Sequence, residues 1–208
     1  MRYSIIALLL HAFFPLFATA QDENVRGAIQ TQTGLFIIWN EPNNNFTIEV
    51  TGKVVERIPN KNLAFLIDGK FLQIVTAFKK DFLSDKQKEQ KLDEKSILSA
   101  HLSWESTYLE KTIGEKLEIN SEAITLSNSK NAVLWSFLVP KKDQGEVKRQ
   151  VFLTTVKDES VLVLNGAVTS KVGEDAVRQF LLQTATTLTI RSKPLTLNEA
   201  KELASKMN

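Results

Sequence analysis

Residues 63–75 read Leu-Ala-Phe-Leu-Ile-Asp-Gly-Lys-Phe-Leu-Gln-Ile-Val. Two runs rich in strand-forming residues stand on either side of the Asp68-Gly69 pair. Such a pair suits a two-residue type I′ turn, because both central residues of that turn need positive φ. The stretch predicts a β-hairpin with its turn at residues 68 and 69. It therefore favours an antiparallel sheet as the framework of the fold.

A second hairpin is predicted before this one. Residues 35–39 and 46–50 have strand-like patterns, and residues 40–45 between them are dense in Asn and Pro, which favour turns. Alternation in the second run places three apolar side chains on one face: Phe46, Ile48 and Val50. Residues 21–33 are polar and are expected to form a loose lead-in.

The segment after the central hairpin changes character. Residues 79–96 are mostly Lys, Asp and Glu, and we expect them to form an exposed helix or a mobile loop. A helix is predicted over residues 93–111, with Gly114 as its end. Four side chains recur there at helical spacing: Ile97, His101, Trp104 and Tyr108.

The remainder predicts more hairpins closed by helices. The strand candidates are residues 116–126, 132–139, 149–156 and 160–168, and the helix candidates are residues 174–187 and a last helix from Thr196, where Thr196 and Glu199 have the spacing of a capping box. These elements indicate an α+β fold, in which an antiparallel sheet built from hairpins has helices packed on it. Because the sequence contains no Pro/Gly/Ser-rich linker, residues 34–208 are expected to form a single domain.

The first twenty residues have the pattern of an export signal. Arg2 precedes an apolar run at residues 5–17, and Ala18-Thr19-Ala20 has the form of a cleavage site before Gln21. The run falls short of the ~20 residues of a membrane-spanning helix, and no later run reaches that length. We therefore expect cleavage before Gln21 and no membrane span afterwards. The absence of Cys favours a bacterial periplasmic or secreted protein.

Charge and residue types exclude several classes of function. The chain has 26 Lys and Arg against 24 Asp and Glu, and they are interspersed, so no basic face for nucleic acid is expected. Beyond the predicted signal there is one His and no Cys, which leaves little basis for nucleophilic catalysis. No glycine spacing suits a dinucleotide or phosphate loop. We name no catalytic residue and expect no cofactor.

His101 and Glu105 deserve separate consideration because they lie one helical turn apart. Together they supply two ligands of the three or four that a zinc site needs, and no second His completes the set, so no metal site is predicted. A core position is the favoured interpretation of His101. The same holds for the three Trp residues, Trp39 among them, because each falls among apolar residues.

One part of the chain resembles a known family. Residues 151–156, a tight turn, residues 160–166 and a helix carrying Phe180 follow one another, and residues 132–137 form a similar strand before them. This order is similar to that of the PsbP/Mog1-like group of small exported or chaperone-like domains, over about half of the mature chain. The resemblance implies a sandwich fold and a non-enzymatic accessory or binding domain. It carries no catalytic residues across.

Three hypotheses of function follow. The first is an exported, non-catalytic domain that binds a protein partner or a small ligand, at one face of its sheet or in a groove beside the helix of residues 93–111. Its candidate binding residues are His101, Trp104, Glu105, Tyr108 and Trp39. The second is an acid-dependent hydrolase to which His101 and Glu105 contribute. The third is a structural component of the cell envelope.

Overall fold

The computed structural model describes residues 26–207. The predicted signal peptide and its cleavage site lie outside these residues. The strands are β1 (Arg26–Gln30), β2 (Gly34–Trp39), β3 (Asn45–Thr51), β4 (Val55–Arg57), β5 (Ala64–Ile67), β6 (Lys70–Phe78), β7 (Asn120–Thr125), β8 (Asn131–Leu138), β9 (Val147–Lys157), β10 (Ser160–Thr169) and β11 (Thr189–Arg191). The helices are α1 (Lys79–Phe82), α2 (Asp85–Glu89), α3 (Glu94–Ile113), α4 (Glu174–Thr186) and α5 (Leu197–Ser205). Within the described part of the chain, no helix is long and apolar enough to cross a membrane.

The strands form two antiparallel sheets, so the predicted α+β class is confirmed. The smaller sheet has the order β1-β2-β3-β11, and the larger has the order β4-β5-β6-β10-β9-β8-β7. Their inner faces meet in one apolar core, to which α4 contributes. Alternation along β8 sends Leu134 into that core and Trp135 to the opposite face, which α3 covers. Helix α5 covers the outer face of the smaller sheet.

The central hairpin forms as predicted between β5 and β6. Ile67 pairs with Lys70, and the turn residues Asp68 and Gly69 both have positive φ, at 48° and 77°. The Asp68 carboxylate also accepts hydrogen bonds from the backbone N–H groups of Lys53 and Val54. The turn therefore also fixes the start of β4, which lies at the edge of the larger sheet.

The earlier hairpin also forms, between β2 and β3, and Phe46, Ile48 and Val50 are fully buried on one face. Every residue of β2 is buried, because the larger sheet covers one face of the strand and α5 the other. The chain differs from expectation just before it. Part of the expected loose lead-in forms β1, which pairs with β2. Edge pairing joins backbone groups and does not require apolar side chains, so the polar sequence did not indicate it.

The charged segment forms two short exposed helices, α1 and α2, which lead into α3. Ser84 caps α2 through a capping box with Gln87. Asp93 caps α3 by accepting a hydrogen bond from the N–H of Ser96, and Gly114 ends the helix with a φ of 78°. The predicted helix is therefore confirmed, and it runs two residues beyond its predicted end.

The C-terminal half departs from prediction at two places. Strand β7 is shorter than the predicted strand of residues 116–126. The predicted helix of residues 174–187 is confirmed as α4, and a short strand that the sequence did not predict, β11, follows it. β-branched Thr favours a strand over a helix, and β11 pairs with β3 at the edge of the smaller sheet. The capping box of Thr196 and Glu199 forms as predicted at the start of α5.

A chain of polar groups, here called the polar bridge, joins the loop before β3 to the turn between β9 and β10. The Asn44 carboxamide oxygen accepts hydrogen bonds from the Lys157 ammonium (2.8 Å) and the Ser160 hydroxyl (3.1 Å). Its Nδ2 donates to the Glu41 carboxylate (2.6 Å), which also pairs with Arg26. The Lys157 side chain is fully buried. Asn44 is the residue through which these groups are linked.

Candidate functional site

An open groove of about 870 Å³ runs along the outer face of α3, beside α1 and α2. We call it the α3 groove. Its lining is formed by Phe82, Gln87, Lys95, Ser96, Ser99, Ala100, Ser103, Trp104, Thr107, Tyr108 and Lys111. Nine of these eleven residues belong to α3, so the geometry of one helix determines most of the site.

The sequence of α3 explains why one of its faces stays open. Five side chains are buried on the side of the larger sheet: Ile97, Leu98, His101, Glu105 and Leu109. With 3.6 residues per turn, the groove-lining residues of α3 point away from the sheet. Many of these side chains are small and polar, so they offer little apolar area for another helix or strand to bury. Phe82, at the end of α1, forms part of the opposite wall.

Three aromatic rings lie along the groove. Trp104 is 38% exposed, and Tyr108 is half-buried one turn further along α3. Their ring planes lie within 16° of parallel, with centroids 6.4 Å apart. The Phe82 ring lies 6.2 Å from Trp104. Together they give the groove an aromatic wall.

The polar part of the lining is basic. Lys95 and Lys111 are exposed, and neither makes an ion pair with any residue between 26 and 207. The lining contains hydroxyl groups and the Gln87 amide but neither Asp nor Glu. The lining therefore combines a net positive charge with an aromatic surface, and Asp93, which lies outside the lining, interacts electrostatically with Lys95.

His101 and Glu105 lie beneath the groove and do not line it. His101 is fully buried and Glu105 is 3% exposed. Burial lowers the pKa of His101 to about 4 and raises the pKa of Glu105 to about 7. Neither His101 ring nitrogen has a hydrogen-bond partner among the described residues. The His101 ring instead lies edge-on to the Phe82 ring, with 5.2 Å between the ring centroids. Its centroid lies 5.9 Å from that of the Trp104 ring.

Trp39 lies elsewhere, in the core between the two sheets. It is 5% exposed and stacks on Phe46 at 5.5 Å, with the Arg26 guanidinium 4.8 Å from its ring centroid. The five candidate residues are therefore split into three groups. Trp104 and Tyr108 line the groove, His101 and Glu105 support it from below, and Trp39 packs in the core.

Several groove residues were missing from the sequence-based candidates. Ser96, Ala100, Ser103 and Thr107 recur at i, i+4, i+7 and i+11, which is a helical stripe as regular as an apolar one. That spacing could have identified the open face of α3. Phe82 had no such signal, because it comes from a charged segment without periodicity. Within residues 26–207, no three or more acidic or His side chains gather as a metal site.

Replacing His101 by Leu is expected to stabilise the protein, by about 1 kcal/mol at pH 8 and about 3 kcal/mol at pH 5. The substitution removes two buried nitrogens that lack partners. The larger gain at pH 5 arises because the pKa of His101 is about 4 when folded against 6.5 when unfolded. Its contribution to stability is present above pH 6.5 and is lost as the pH falls towards 4. Urea unfolding at both pH values measures the gain.

The matched control is His101→Gln, which keeps buried polar atoms but cannot be protonated. We expect it to gain stability at pH 5 but not at pH 8. A His101→Leu protein less stable than wild type at both pH values would contradict the role of desolvation.

No family model matches the chain, and no curated protein matches it. Among solved structures, the solution structure of cyanobacterial PsbP (CyanoP) from Synechocystis sp. PCC 6803 is similar. The similarity covers 86% of this chain and 98% of that one, with a TM-score of 0.43 and 12% sequence identity. That cyanobacterial protein bears the name of the PsbP/Mog1-like group that the sequence resembles.

Proposed function

We propose that this protein is a non-catalytic binding domain and that the α3 groove is its binding site. The observation that carries the proposal is the exposed Trp104, nearly parallel to Tyr108, in a groove with two lysines that have no ion-pair partner among residues 26–207. A Trp ring that stays in contact with water forgoes part of the hydrophobic gain available to it. Grooves with aromatic walls and a few polar groups are typical of ligand sites.

The groove supports binding better than catalysis. General acid–base catalysis needs a titrating group within hydrogen-bond reach of the substrate. Among the described residues the lining has no carboxyl or imidazole, and its ionisable side chains are Lys95, Lys111 and Tyr108. His101 and Glu105 have strongly shifted pKa values, yet both are buried on the sheet side of α3. No observation favours the hydrolase or the structural envelope component over a binding domain.

We also propose that the binding domain acts outside the cytoplasm, in a bacterial periplasm or after secretion. The support for this is the sequence of residues 1–20, with its short basic start, its apolar run and its Ala-Thr-Ala site. A ligand met after export would be an envelope component, an extracellular polymer or another exported protein.

Trp104→Ala is expected to abolish ligand binding while leaving the fold intact. The test is the melting temperature of the purified protein against a panel of sugars, nucleotides, peptides and lipids, since a ligand of the folded state raises it. Leu138→Ala is the matched control, because Leu138 is 53% exposed and lies outside the groove. We expect one class of compound to stabilise the wild type and the control but not Trp104→Ala. A ligand that stabilises all three proteins equally would place the site elsewhere.

A further inference from the structure

We infer that the α3 groove binds an acidic oligosaccharide, a chain of sugars that carry carboxylates. This inference rests on the proposed function and adds the chemical class of the ligand. It is carried by three properties of the lining: the placement of positive charge, the aromatic surface with its hydroxyl groups, and the overall residue composition.

The charge indicates an extended anion. Lys95 and Lys111 both line the groove and lie sixteen residues apart on α3, which corresponds to about 24 Å along the helix axis. Among the described residues the lining has no carboxylate and neither lysine is ion-paired, although Asp93, outside the lining, interacts electrostatically with Lys95. Two separated ammonium groups match a ligand with charge at several points along its length better than a single compact anion.

The aromatic and hydroxyl groups indicate sugar rings. The face of a sugar ring presents C–H groups, which carry a slight positive charge and are attracted to the negative face of an aromatic ring. Trp104 and Tyr108 line the groove with nearly parallel ring planes, and the 38% exposure of Trp104 leaves part of its ring open to such a contact. Sugar hydroxyls also need hydrogen-bond partners. The exposed hydroxyls of Ser99 and Ser103 and the Gln87 amide nitrogen lie in the same lining.

The composition of the lining disfavours a protein partner. Protein–protein interfaces are depleted in Lys, Ser and Ala relative to the rest of the surface, although they are enriched in Trp and Tyr. Six of the eleven lining residues are Lys, Ser or Ala: Lys95, Ser96, Ser99, Ala100, Ser103 and Lys111. An acidic polypeptide would carry similar negative charge, so the experiment has to distinguish it from an acidic oligosaccharide.

The experiment compares three probes of similar length by isothermal titration calorimetry at low salt: hexagalacturonate, the neutral maltohexaose, and a hexaglutamate peptide. We expect hexagalacturonate to bind the wild type at least about tenfold more tightly than the other two probes. A Lys95→Glu/Lys111→Glu protein should bind it at least about tenfold more weakly. Both lysines are exposed, so these changes leave the fold intact. The matched control is Lys116→Glu, an exposed lysine outside the lining, which should change the Kd less than about twofold.

The outcomes separate this inference from the proposed function. Hexaglutamate binding as tightly as hexagalacturonate, with loss in Trp104→Ala, would keep the groove as a binding site but assign it to an acidic polypeptide. Absence of hexagalacturonate binding to the wild type would also overturn the inference. Hexagalacturonate binding that neither Trp104→Ala nor the double lysine variant weakens would overturn both the inference and the proposed site.

Discussion

Glu105→Gln is expected to raise the free energy of unfolding by about 3 kcal/mol at pH 8 and to leave it nearly unchanged at pH 4. Burial raises the pKa of Glu105 from 4.5 to about 7. Because the folded-state pKa is the higher one, the contribution of Glu105 is fully present below pH 4.5 and is lost as the pH rises to 7. At about 1.4 kcal/mol for each pH unit between the two pKa values, the loss is about 3 kcal/mol. Gln has nearly the same shape and cannot ionise.

Urea unfolding from pH 4 to pH 8 measures this difference. Glu118→Gln is the control, because Glu118 is exposed and its substitution should leave the pH dependence unchanged. If Glu105→Gln had the same pH dependence as the wild type, Glu105 would not be a buried neutral acid. The contribution of His101 to the free energy of unfolding is lost as the pH falls, whereas that of Glu105 is lost as the pH rises. The two effects offset each other between about pH 4.5 and 6.5, so the wild type should be nearly insensitive to pH there.

Asn44→Ala is expected to lower the free energy of unfolding by about 3 kcal/mol or more, because it breaks the polar bridge at its centre. The substitution removes the acceptor of the buried Lys157 ammonium and of the Ser160 hydroxyl, and the donor to Glu41. The Lys157 side chain is buried, and burial lowers the pKa of its ammonium group because the charge is poorly solvated. Without Asn44, Asp158 is the remaining side chain among the described residues that hydrogen-bonds the ammonium, which also lies 5.5 Å from the centroid of the Phe46 ring.

Two further variants interpret that result. Lys157→Met removes the buried charge together with its need for partners, so it should cost clearly less than Asn44→Ala. Asn128→Ala is the control, because it removes an exposed Asn with one side-chain donor bond to the Thr186 carbonyl. A loss for Asn44→Ala as small as that for Asn128→Ala would mean that the polar bridge contributes little to stability. Unfolding in urea at pH 7 compares all three.

The sequence predicts the fold best where the signal is local. The turn at Asp68 and Gly69, the stop at Gly114 and the capping box of Thr196 and Glu199 each act within a few residues, and the structure has all of them where expected. Strands β1, β4 and β11 are different, because each is a short edge strand. Its pairing depends on a neighbour that the fold brings alongside, and a short segment carries little periodicity of its own.

The site is predicted only in part, and α3 shows why. His101, Trp104 and Tyr108 fall on one helical stripe, so their spacing assigns them the same environment. In the structure the residues of that stripe differ in exposure, because His101 is fully buried whereas Trp104 is 38% exposed. Where burial ends depends on the width of the sheet beneath and on Phe82 from a separate helix. Neither can be derived from the pattern of α3 alone.

The order of strands in the larger sheet has a consequence for how the chain folds. Its centre is the pairing of β6 with β10, in which Phe78 lies opposite Ser160. Roughly eighty residues separate these two positions, so a long loop must close before the middle of the sheet can form. The conformational entropy of that loop is lost before most of the sheet contacts are made. The hairpins on each side can form from neighbouring residues. Assembly is therefore expected to be limited by the meeting of two preformed halves, and the protein belongs among the slowly folding topologies.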